Sequence, residues 1–195
     1  MPPPKEHQAP PAWTVPAPYG YAKAVTTAGS VGAPLLAGFT VTLMGIVIGY
    51  GSDMGAPGLA LVVLSAAAVV LIAAVQFSFA ARSYAVDPRE IAAWYPDYND
   101  DAVRQNLVDD QAYHAKQEQV WGRRFRRAYN FGILLLLAGV AVVLIPPGGD
   151  DGNVGRWFAV AIMFSGAVAE IYWIVDGWAG ALSKEEWWQE RQADR

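Results

Sequence analysis

Long apolar runs alternate with short polar ones along the chain. Four runs reach the about 20 mostly apolar residues that cross about 30 Å of hydrocarbon. They are SVGAPLLAGFTVTLMGIVIGY (30–50), GLALVVLSAAAVVLIAAVQFSFAA (58–81), AYNFGILLLLAGVAVVLIP (128–146) and WFAVAIMFSGAVAEIYWIVDGW (157–178). One such run could be the core helix of a soluble domain. Four in 195 residues leave too little polar sequence to cover them in water. The pattern predicts an all-α membrane protein: four transmembrane helices as two hairpins, with a long cytoplasmic helical extension between spans 2 and 3.

The polar stretches set the remaining boundaries. Residues 1–22 form a Pro-rich tail, expected to be disordered, and 23–81 the first hairpin. An insert follows over 82–127, then the second hairpin over 128–178 and a short interfacial helix over 179–195. In the insert, VDPRE offers Asp87 as a helix cap, Pro88 at the first helical position and Glu90 three residues after the cap. That helix should stop near Tyr95, because Pro96 disfavours helical geometry in the residue before it. A second helix starts near Asp101 and meets no proline before the third span, so it should run into the membrane. Val103, Leu107, His114, Trp121 and Phe125 make a sparse stripe at spacings of four and seven. The stripe suits either packing against the short insert helix or the C-terminal tail, or contact with a partner or a second copy. At the far end, SKEE places Ser183 and Glu186 as a capping box, and Trp187 and Trp188 would anchor that helix at headgroup level.

Charge then gives a direction. Of 14 Lys and Arg residues, eight lie between Arg82 and Arg127, two before the first span and three after the last. Only Arg156 falls in the two short connections. Cytoplasmic loops carry the basic excess, so both termini and the insert are expected inside a plasma membrane, with two tight outer turns. Arg123, Arg124, Arg126 and Arg127 form a membrane-interface anchor. The net charge of −4 argues against a nucleic-acid partner. The opening MPPPKEHQAPPAW has no apolar run behind a basic start, so no cleavable signal peptide is expected. Its prolines also match a ligand for an aromatic groove, although a solvated tail is the preferred reading.

Candidate chemistry is sparse. There are no cysteines, and His7 and His114 stand alone. The acidic pairs Asp100/Asp101 and Asp109/Asp110 and the GGDDGN turn lack the ligand spacing of a calcium loop. No metal or cofactor is expected, and no nucleophile with a base suggests an enzyme. The exception is Glu170, about 4 Å from the centre of the fourth span at 1.5 Å per residue. A charge there costs about 2.5–3.5 kcal/mol on insertion scales. Its helix face carries Ala159, Met163, Gly166, Ala167, Ile174 and Gly177, whereas Phe158, Phe164, Val168, Ile171 and Val175 lie opposite. Small residues mark close helix contact in membranes, so Glu170 should point inward. Thr40 and Gln76 are its expected hydrogen-bonding partners in an intramembrane polar node. Gly45 and Gly49 form a GxxxG on the first span, another candidate for close helix contact.

AVTTAGSVGAPLLAGFTVTL (24–43) and WGRRFRRAYNFGILLLLAG (121–139) resemble segments of small four-span integral membrane proteins of high-GC actinobacteria. Ten arginines against four lysines fit such a genome. The resemblance implies the architecture and brings no activity. The expected function is interaction within the lipid bilayer, as a homo-oligomer or an accessory subunit of a membrane complex. The alternative is an ion- or proton-conducting oligomer, or a membrane-permeabilising effector, that uses Glu170.

Overall fold

A computed structural model describes Trp13 and residues 20–95, 97, 100–148 and 154–193, apart from the side chains of 88, 92 and 177–193. Every described element is helical: α1 (Tyr21–Thr27), a π-helical turn (Ala28–Gly32), α2 (Ala33–Tyr50), a 3-10 turn (Gly51–Asp53), α3 (Pro57–Ser83), α4 (Pro88–Trp94), α5 (Asp101–Leu144) and α6 (Val154–Ala193). Four helical stretches are long and apolar enough to cross a membrane: Tyr21–Asp53, Pro57–Ser83, Asp101–Leu144 and Val154–Asp176.

The first of these begins at Tyr21 rather than at Ser30, and Pro34 explains the π turn inside it. Proline has no N–H for the Ser30 carbonyl, and its ring crowds that carbonyl. The helix widens there, so that the Ala33 N–H reaches back to the Ala28 carbonyl. The insert helices start where their caps lie. Asp87 accepts from the Arg89 N–H at 2.8 Å, and Asp100 from the Ala102 N–H at 2.8 Å. α5 then continues for 44 residues without a break, about 66 Å at 1.5 Å per residue.

α3 and α5 form the central pair, with α2 packed on α3 and α6 on α5. On α3 the buried positions Ala60, Leu64, Ala67, Leu71, Ala74, Ser78 and Ala81 alternate in steps of four and three. Gly122, Phe125, Gly132, Leu136 and Gly139 line the matching face of α5. A 3.5-residue average is the seam of left-handed helix packing. Leu71 lies against Gly132 and Leu64 against Gly139, so moving one heptad forward on α5 moves one heptad back on α3 and the pair is antiparallel. Lipid supplies no hydrophobic drive for this contact. It rests on dispersion between leucines and the glycines that admit them.

Two ties join the connections at one end of the bundle, hereafter the turn end. The Gly55 N–H donates to the Ile145 carbonyl at 2.9 Å, and Arg156 Nη1 donates to the Asp53 carbonyl at 3.2 Å. At the opposite, projecting end, Val25, Ala33, Ala74, Ala81 and Phe125 form an apolar cluster with Tyr21, Trp121 and Tyr129 against it.

Three expectations change here. The GxxxG of α2 is not a contact within the chain, because a Cβ at Gly45 or Gly49 would meet nothing within 4 Å. The close approaches are made instead by the glycines of α5 and of the π turn. Most of the stripe on α5 is spent inside the chain: Leu107 and Phe125 are buried, Trp121 meets the Phe77 ring at 6.0 Å and His114 the Tyr84 ring at 5.9 Å. Finally, α6 continues through SKEE to Ala193 as one helix. Gly180 is the only poor helix former between Ala179 and Glu186, and one glycine costs about 1 kcal/mol, too little to force a break.

Candidate functional site: a polar node between the spans

Glu170 stands on the face of α6 that meets α5. Ala159, Met163, Ala167, Glu170 and Ile174 are half-buried, while Phe158, Phe164, Val168, Ile171 and Val175 are exposed. The inward face is therefore the one its small residues mark, with Gly166 the exception among the described ones. None of the apolar window of α6 is fully buried, so this helix is docked along one side only.

Its neighbour differs from those expected. The Thr40 hydroxyl is fully buried but donates to the Leu36 carbonyl of its own helix at 2.7 Å. Gln76 is exposed on α3. Among the described residues, no hydrogen bond joins Glu170 to either. Tyr129 on α5 is near enough to feel the Glu170 charge, but among the described residues no hydrogen bond joins the two. Tyr129 stacks on Phe125 at 5.5 Å between ring centres and carries its hydroxyl to the backbone of Gly32, where an added Cβ would lie 2.9 Å from it. Tyr129 follows Arg127 by two residues, about 3 Å of helix rise. Tyr129 thus lies in a layer close to the arginines of α5.

The π turn completes this layer. Gly29, one turn before Gly32, packs directly on Ser78 of α3, and Phe125 lies 3.5 Å from where a Gly29 Cβ would be. Ser78 is fully buried and donates to the Val25 carbonyl at 3.2 Å. The widened turn leaves backbone to be met by outside groups, a common feature of π segments at functional sites. α1, α2, α3, α5 and α6 all reach this layer. It holds the Tyr129 phenol against Gly32 and the Ser78 hydroxyl on the Val25 carbonyl. Tyr129 escaped notice in the sequence because it follows an arginine run and reads as an interfacial aromatic.

The remaining candidates are peripheral. Arg123, Arg124, Arg126 and Arg127 are exposed along α5, and Arg124 lies over the Trp121 ring at 4.5 Å. The side chains of Ser183, Glu186, Trp187 and Trp188 lie outside the described residues, as do Pro96, most of the 1–22 tail and residues 149–153. Among the described residues, no group of three His, Cys, Asp or Glu side chains is placed to hold a metal.

Among the described residues the fold is all-helical, with four helices of membrane-spanning length and composition. No family model, curated protein or solved structure matches it.

Proposed function

We propose that the chain is a plasma-membrane protein with two transmembrane hairpins and both termini in the cytoplasm, and that it acts by protein–protein interaction as a homo-oligomer or as an accessory subunit of a membrane complex. The observation that carries this reading is α5. At 44 residues, or about 66 Å, it is about twice the hydrocarbon thickness of a bilayer, so about half of it projects as a rigid arm. The inner stripe of that arm is occupied within the chain. Its outer face presents Tyr113, 57% exposed, among Asp109, Asp110 and Lys116. The likeness of residues 24–43 and 121–139 to four-span actinobacterial proteins belongs to the same proposal. Cross-linking from position 113 in native membranes tests it. A discrete product, either a dimer of the chain or a defined complex, is expected; monomer alone would refute it.

Glu170, half-buried on α6, supports a second reading, an oligomer that conducts protons or ions or permeabilises the membrane. Ionisable groups between spans often mark such paths. Flux in liposomes that Glu170→Gln abolishes would establish it, and tight liposomes would leave the node structural.

A further inference from the structure

The chain enters α1 beside the arm of α5. Tyr21, Ala85 and Glu118 meet in one small cleft, and an added Cβ on Gly122 would sit 2.5 Å from the Tyr21 hydroxyl. Tyr21, Gly29 and Gly32 meet Gly122, Phe125 and Tyr129 in turn, so α1 and the π turn run parallel to α5. The residues before Tyr21 are therefore directed toward the free end of the arm. One helical turn in that direction from Glu118, on the same face, stands His114. Its ring meets Tyr84 at 5.9 Å, edge to face, and Tyr113 at 5.8 Å. Tyr84 and His114 are half-buried and Tyr113 is exposed, so three adjoining rings stay open to a ligand where the tail leaves α1.

We propose that the Pro-rich segment 10–19 is that ligand and docks as a polyproline II strap on the Tyr84, His114 and Tyr113 rings of its own chain. Polyproline II repeats every three residues, which puts Pro10, Trp13, Pro16 and Tyr19 on one edge. Both aromatic residues of the segment thus share an edge with two of its prolines. Extended proline-rich segments dock on surfaces lined by aromatic rings, and their stiffness keeps the ordering cost low.

Two observations support docking within the chain. Trp13 is half-buried, whereas a tryptophan on a strand led into water would be exposed. The reach also fits. The seven steps from Trp13 to Gly20 cover about 22 Å as polyproline II at about 3.1 Å per residue, within the about 26 Å of α5 between Asp101 and Glu118 at about 1.5 Å per residue. Trp13 therefore still falls on the arm. The strap requires neither the membrane orientation nor the partner proposed above, since Tyr21 joins tail and arm whichever side they occupy.

The experiment uses the full chain in neutral detergent micelles. Spin labels on Thr14→Cys, off the docking edge, and Lys116→Cys, exposed on the arm, report the separation of tail and arm by double electron–electron resonance. The expected result is one narrow separation that persists when the labelled chain is diluted with an excess of unlabelled chain. Trp13→Ser, which lies outside every helix and leaves the bundle packed, should broaden the distribution about twofold or more, toward the spread of a free coil. Tyr84→Ala should do the same, and Tyr50→Ala, at the turn end, should change nothing. A broad distribution in the unaltered chain would mean a solvated tail and overturn the strap. A narrow separation that survives either Trp13→Ser or Tyr84→Ala would overturn the ring site, and one that vanishes on dilution would assign the strap to a second copy and overturn docking within the chain.

Discussion

Replacing Gly29 by alanine puts a methyl group where the Ser78 side chain stands. Neither partner can move away cheaply, since Gly29 belongs to a helical turn and Ser78 is fully buried in the α3 seam. Overpacking of this kind costs about 1–3 kcal/mol. Separating the helices would also stretch the Ser78–Val25 hydrogen bond, worth about 0.6 kcal/mol on average between membrane helices. Alanine returns about 0.5–1 kcal/mol of helix propensity, leaving a net loss of about 1–3 kcal/mol by the same figures. Gly45→Ala is the control, because a methyl group there meets nothing and only the propensity gain remains. Unfolding in mixed micelles, followed by tryptophan fluorescence, measures both. Gly29→Ala should unfold well before Gly45→Ala, and adding Ser78→Gly should recover most of the difference. Equal stability of the two single variants would refute the close contact of the π turn with α3.

The other predictions concern the seam, the turn end and the arm. Gly132→Ala and Gly139→Ala bring a methyl group within 2.7 Å of the Leu71 side chain and 2.6 Å of the Leu64 side chain; each should cost about 1–3 kcal/mol in the same unfolding assay, relieved by Leu71→Ala and Leu64→Ala respectively. Arg156→Ala removes the donor to the Asp53 carbonyl and should raise hydrogen exchange in the 51–56 turn while leaving α3 protected. Glu118 takes up its proton more readily folded than unfolded. Its contribution is therefore greatest below the ordinary glutamate value and declines as pH rises through the raised one. Glu118→Gln should flatten that decline in a pH series of melting temperatures.

Much of the architecture was legible because membrane spans are read from run length, which needs no knowledge of packing. The four apolar runs, the Asp87 and Asp100 caps and the unbroken α5 all follow local rules. The central seam was also within reach. Ala60, Ala67, Ala74 and Ala81 recur every seventh residue, as Gly132 and Gly139 do, and a heptad of small residues announces close antiparallel packing more firmly than a single GxxxG. The α2 motif misled because glycine spacing records that a backbone could be approached, without saying which helix approaches it. The polar node was harder. Glu170 faces inward, as its small neighbours indicate, but its partner depends on how far α6 slides along α5. No local pattern fixes that register. The π turn had a visible cause in Pro34, whereas its contacts with Ser78 and Tyr129 exist only once three spans are assembled.

The most direct test is sidedness. The chain has no cysteine, so single cysteines at Asp53, Asp110 and Gly148 can be labelled in sealed vesicles by an impermeant thiol reagent. Positions 53 and 148 should react from one side and position 110 from the other, with 110 protected when only the outer face is exposed. Labelling of all three from the same side, or of 53 and 148 from opposite sides, would contradict the four-span arrangement on which the account stands.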